Sequence, residues 1–217
     1  MREKLALAAG FVLLGSAWSG PLQEIARTSF SAQMLTHMLV VAVVSPLFAF
    51  FLRPFLQALA APSLIAMIAF GSSLLDFVII WVWHLPALHD YARYEGFMLF
   101  AEQASFLIIG VVVWTSALAT YRTAERSAGL VGAGALFFTS MHMTLLGALL
   151  ALASRPLYSS CLEGAKPFHL SVQEDQQLGG VIMLVMGGLI YLGGGLVLAS
   201  AAIGADKDVY LREEEPK

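Results

Sequence analysis

The sequence predicts an all-α fold, a polytopic transmembrane bundle of six helices, and three observations carry that prediction. Hydrophobic residues make up 59% of the 217 and charged residues only 12%, about half the charge of an average soluble domain. Charge-poor stretches recur along the whole chain, most of them near the ~20 apolar residues that a helix needs to cross a bilayer. Between them lie the prolines Pro54, Pro62, Pro86, Pro156 and Pro167, placed where a missing N–H does least harm. This composition excludes a disordered chain, a nucleic-acid-binding protein and an ordinary cytosolic domain. A single cysteine, Cys161, excludes an intramolecular disulfide framework and any paired-cysteine metal site.

The expected spans are residues 5–18, 32–52, 63–83, 97–118, 130–152 and 178–202, all within one transmembrane domain covering 1–217. The first is short. Its Met1-Arg2-Glu3-Lys4 start and its small residues Gly15-Ser16-Ala17 also suit a secretory signal peptide, which would leave five spans. A retained helix is the reading adopted. Residues 203–217 form a charged tail. Arg2, Lys4, Arg53, Arg122, Arg126, Lys207, Arg212 and Lys217 fall on one side, against Arg27, Arg93, Arg155 and Lys166 on the other. The positive-inside rule then puts both termini in the cytoplasm. In the last span Gly180, Gly187 and Gly194 recur every seven residues, a small-residue stripe of the kind that lets helices approach closely in lipid.

Polar residues gather toward the outer ends of these spans. Gln33 and His37 are one turn apart, flanked by Met34 and Met38. His84 closes the third span, with Asp76 inside it. Glu102 and Gln103 sit in the outer third of the fourth, His142 lies between Met141 and Met143 in the fifth, and Asp175-Gln176-Gln177 open the sixth. Ionisable groups inside a bilayer are expensive and usually line a pathway or bind something. Imidazole and thioether donors with a carboxylate suit Cu(I) rather than the oxygen-loving Mg²⁺ or Ca²⁺. The candidate metal ligands are therefore His37, His84, His142, Met34, Met38, Met141, Met143 and Asp76. The depths of His84 and His142 differ by about 15 Å at the helical rise. Two groups are accordingly expected, an upper one of Met34, His37 and His84 and a lower one of Asp76, Met141 and His142. Each residue also has a plain structural role open to it: methionines fill gaps, and His37 with Gln33 can bond neighbouring helices. His89 and His169 are expected to be solvated in outer loops, and Arg122, Glu125 and Arg126 to form a solvated turn.

Read in order, several stretches resemble the polytopic CtaG-type cytochrome c oxidase assembly factors. They are Ser29-Phe30-Ser31-Ala32-Gln33-Met34-Leu35-Thr36-His37-Met38, Ser45-Pro46-Leu47, Trp81-Val82-Trp83-His84-Leu85-Pro86, Ser105-Phe106-Leu107, Leu145-Leu146-Gly147-Ala148-Leu149-Leu150, Pro156-Leu157-Tyr158 and Asp175-Gln176-Gln177-Leu178-Gly179-Gly180-Val181-Ile182-Met183. The resemblance implies a bacterial inner-membrane accessory factor that helps copper reach a haem-copper oxidase. The oxidase's membrane subunits and a periplasmic copper donor would be its partners, alongside the lipid bilayer. A non-catalytic protein is expected, with no nucleic-acid partner and with homo-oligomerisation left open. The family pattern commonly has histidine where this chain has Gln33 and Gln103, and glutamine is a poor Cu(I) ligand. Two alternatives stand beside the copper reading: a haem-b electron-transfer protein with axial histidines, and an assembly scaffold that uses no metal.

Overall fold

A computed structural model describes residues 1–121, 125–158 and 169–213, with side chains described as far as residue 204. The described residues are helical apart from short connections. The elements are α1 (Arg2–Trp18), α2 (Pro21–Ala26), α3 (Phe30–Met38), a π-helical stretch (Leu39–Val44), α4 (Ser45–Leu59), α5 (Pro62–Trp83), α6 (Pro86–Tyr94), α7 (Gly96–Ala119), α8 (Arg126–Ala151) and α9 (Val172–Glu213).

Five segments among the described residues are long and apolar enough to cross a membrane: Phe30–Leu59, Pro62–Trp83, Gly96–Ala119, Arg126–Ala151 and Val172–Gly204. The expected sixth, the first segment, is a 17-residue helix of about 25 Å, short of the ~30 Å hydrocarbon core. It packs on α4, where the Phe11 and Phe48 rings lie 5.0 Å apart. Two expected boundaries also move. Pro54 lies inside α4 rather than in a connection. Arg53 does not end the helix, because its guanidinium lies 4.2 Å above the Phe50 ring and its stem can run along apolar surface. Pro62 and Pro86 do begin helices, Pro156 lies in the segment after α8, and Pro167 falls outside the described residues. Residues 203–213, expected as a tail, continue α9 as helix.

The π-helical stretch has a local cause. Ser45 N–H donates to Val40 O, one residue further back than in an α-helix. The next residue, Pro46, has no N–H to give. Val41 O is thereby left without a helical donor, and two side chains supply what the backbone does not: Trp114 Nε1–H at 3.1 Å and Tyr191 O–H at 3.0 Å. These bonds tie the long Phe30–Leu59 helix to α7 and α9. Gly110 of α7 permits the approach, since a Cβ there would lie 2.7 Å from Ser45 Oγ.

The glycine stripe of α9 packs as expected. A Cβ on Gly147 of α8 would lie 2.6 Å from Leu184 N and 2.7 Å from Gly180 O, so the two backbones are in direct contact. Further along, Gly194 receives the Trp114 ring. Gly147→Ala should therefore destabilise the purified protein by about 1–3 kcal/mol, read as a lower thermal unfolding midpoint in detergent. Gly71→Ala should leave that midpoint unchanged or raise it, since a Cβ there meets nothing within 4 Å.

Candidate metal site

The end of the bundle that carries the α3 and α9 N-termini collects the costly side chains. Helix α3 brings His37 and the C-terminus of α5 brings His84, with ring centres 5.7 Å apart in an edge-on arrangement. Phe106 of α7 packs at 4.3 Å from the His37 ring. His84 Nδ1–H donates to Ile80 O at 2.7 Å, which fixes the tautomer and leaves the lone pair on Nε2. His84 Nε2 and both ring nitrogens of His37 are buried without a hydrogen-bond partner. Burial, helped by the nearby Arg93 charge and opposed by the Ile80 bond, pushes the His84 pKa down to about 4. The imidazole is neutral at ordinary pH, as a metal ligand must be.

A second pair lies deeper. His142 Nε2 of α8 approaches Asp76 Oδ2 of α5 at 3.2 Å, and both side chains are almost fully buried. Asp76 precedes His84 by eight residues, about 12 Å along α5. Phe77 and Phe138 enclose the imidazole at 5.5 and 5.6 Å. The methionines divide. Met34, Met38 and Met143 are buried along the face of α9, where a Cβ on Gly187 would lie 3.7 Å from Met38 Sδ and 3.0 Å from Met143 Cβ. Met141 is 62% exposed and points out of the bundle, so the expected lower group is brought together only as Asp76 and His142. Among the described residues no three His, Cys, Asp or Glu side chains converge as a metal cage.

The sequence model of one family, described as the cytochrome c oxidase caa3 assembly factor (Caa3_CtaG), matches residues 1–203. The chain belongs to the CtaG family. No curated protein and no solved structure matches it.

The remaining polar residues of this CtaG protein show why the imidazole pair gathers no third ligand of those types. Gln33 lies one turn from His37, but its Oε1 accepts from His89 Nε2–H at 3.0 Å. His89 was expected to be solvated and is instead buried, 4.1 Å from the Tyr158 ring and 5.6 Å from Phe30. Helix α6 buries His89 and Ala92, three residues apart, and that helical spacing after Pro86 was the signal available. His169 is exposed as expected. Glu102 is bonded to Arg93, both buried, and Gln103 Nε2 points to the same carboxylate. Asp175 accepts from Ser29 Oγ–H at 2.9 Å, Phe30 N–H at 2.7 Å, Ser31 N–H at 3.1 Å and Ser31 Oγ–H. It is an anion seated on the N-terminus of α3, where the helix dipole favours negative charge. Tyr158 O–H bonds His84 O at 3.1 Å and holds the α5 terminus. Of the expected solvated turn, Glu125 and Arg126 are exposed, while Arg122 lies outside the described residues.

Two outcomes follow from these contacts. Asp175→Ala leaves four donors without their acceptor and should lower stability by roughly 2 kcal/mol or more, measured by thermal unfolding. His89 is held down to about 3, by burial first and then by the Arg93 and His84 charges against the opposing pull of Asp90. His84 and His89 thus both titrate lower in the fold than the ordinary 6.5. Below pH 6.5 the unfolded chain binds more protons than the folded one, so stability holds above 6.5 and falls as pH drops toward 4 and 3. The unfolding midpoint should decline across that window, and His89→Gln should make the decline shallower.

Proposed function

We propose that this CtaG-family chain is a non-catalytic accessory factor of the bacterial inner membrane that binds or passes copper during assembly of a haem-copper oxidase. The metal is its cargo, carried as Cu(I). The observation that carries the reading is the His37–His84 pair, two imidazoles from different helices facing each other with three ring nitrogens free of hydrogen bonds. A metal ion about 2 Å from a nitrogen of each ring would set the ring centres roughly 6 Å apart, close to the 5.7 Å found. Buried polar groups left unpaired are costly, and coordination of a soft ion would offset that cost. Met34, Met38 and Met143 offer thioethers along α9, and the Asp76–His142 pair is a second resting point deeper in the bundle. In this reading α1, at the short end of the workable range of about 17–25 residues, crosses as a sixth span, so that the Lys and Arg distribution favours cytoplasmic termini and the His37–His84 pair lies near the periplasmic face. A periplasmic donor would then load the pair, and an oxidase subunit would receive the ion.

The test is copper retained per protein after loading with Cu(I) under reducing conditions. Wild type should hold copper in stoichiometric amount. His37→Ala and His84→Ala should lose most of it, and Met141→Leu should keep it. Equal retention by wild type and the histidine variants, or none by wild type, would overturn the copper reading. A metal-free scaffold is the second reading, favoured by the lack of three converging His, Cys, Asp or Glu ligands among the described residues. Under it, oxidase maturation survives both histidine changes and fails when the α8–α9 contact is broken. Phe106 packs against the histidine pair where a porphyrin would need room, which disfavours haem as the ligand of these two rings.

A further inference from the structure

The short helix α2 separates two clefts. Leu22 and Ile25, three residues apart, line an apolar cleft together with Leu35 of α3 and Leu178 and Ile182 of α9. On the opposite side of α2, Gln23, Glu24 and Arg27 line a polar cleft of about 260 Å³, bounded by Trp18 and Ser19 at the end of α1. That volume is many times the ~10–15 Å³ that one water needs. A helix with one apolar and one charged side, beside a tryptophan, belongs at the headgroup level of a bilayer. The polar cleft also holds three groups that the protein leaves open. Trp18 Nε1–H is buried without an acceptor, and an indole nitrogen can only donate. Among the described residues neither the Glu24 carboxylate nor the Arg27 guanidinium has an ion-pair or hydrogen-bond partner.

We propose that the polar cleft binds the headgroup of a phospholipid with a primary amine, phosphatidylethanolamine, and that the apolar cleft on the other side of α2 takes one of its acyl chains. The Trp18 indole and the Arg27 guanidinium need an acceptor oxygen and a negative charge, and a phosphodiester supplies both. Glu24 needs the reverse. The ethanolamine ammonium supplies a positive charge with three N–H donors. One cation and one anion in the cleft sum to zero, which fits a zwitterion better than phosphatidylglycerol, whose headgroup brings only negative charge. Choline is positive but has no N–H, so it attracts Glu24 without bonding to it. Trp18 belongs to α1, so a bound headgroup also ties that helix to α2. The site shares no residue with the His37–His84 pair and stands independently of the copper reading.

The experiment strips lipid from the full chain in detergent and adds back phosphatidylethanolamine, phosphatidylcholine or phosphatidylglycerol with identical acyl chains. Bound lipid is read by native mass spectrometry, beside the thermal unfolding midpoint. Wild type should retain one phosphatidylethanolamine in preference to the other two lipids, with the largest rise in midpoint. Arg27→Gln should weaken that retention roughly tenfold. Trp18→Phe, which keeps an aromatic ring and loses the N–H, should weaken it about threefold. Glu24→Gln should erase the preference for ethanolamine over choline, and Arg2→Gln, at the other end of α1, should change nothing. Glu24 and Arg27 are exposed, so their substitution spares the fold and decides the matter even if Trp18→Phe loosens α1. Equal retention of the three lipids by wild type, or retention of none, overturns the proposal. So does retention that survives Arg27→Gln and Glu24→Gln unchanged, which would mark ordinary annular lipid. A preference for phosphatidylglycerol that Glu24→Gln strengthens overturns it too, by assigning the cleft to an anionic headgroup.

Discussion

Hydrocarbon supplies no hydrogen bonds, so a donor or acceptor in the depth of this bundle is costly unless another part of the chain answers it. The Val41 carbonyl shows the rule at work. Pro46 and the π-helical register remove its backbone donor, and indole and phenol groups from α7 and α9 replace it. Asp175 shows the converse, a charge that is stable because four donors at the start of α3 enclose it. Such bonds fix three long helices in relation to one another at two depths.

Against that background the groups that remain unanswered stand out. Glu102, Gln33 and Asp175 were as conspicuous in the sequence as His37 and His84, yet each of them is satisfied by a protein neighbour. The two facing imidazoles are not, and they share that state with the deeper Asp76 and His142 and with Trp81, Thr115 and Thr139. Burial alone does not separate the two classes, since nearly all these side chains are buried. Partnering does. The division between structural polarity and chemically open polarity is visible only when the contacts are known.

Much of the architecture was legible beforehand because it follows from composition and periodicity. Five of the six expected spans and the seven-residue glycine stripe follow from residue type and spacing, while the family was legible through the resemblance of several stretches taken in order. The boundaries were less legible: Arg53 and Pro54 read as a loop because charge and proline usually end a span, but a snorkelling guanidinium keeps the helix going. That His37 and His84 share one group was expected from their depth, but the 5.7 Å edge-on approach was not legible, since it depends on how α3 and α5 cross. Met141 and Met143 could not be told apart by type, though they are two residues apart and face lipid and core respectively. His89 was misread because a short helix between spans resembles a solvated loop until its buried positions are seen.

The π-helical stretch between His37 and Ser45 carries a consequence for the phase of the whole helix. A residue adds about 100° of rotation in an α-helix and less in the wider π-helical turn, so the stretch sets the azimuth of His37 relative to everything beyond Ser45. A straight α-helical segment of the same length would aim that imidazole elsewhere, while Ser45 and Gly110 kept their seat. One local irregularity therefore works as a torsional adjuster, allowing the lower half of the helix to be anchored for packing and the upper half to be oriented for chemistry.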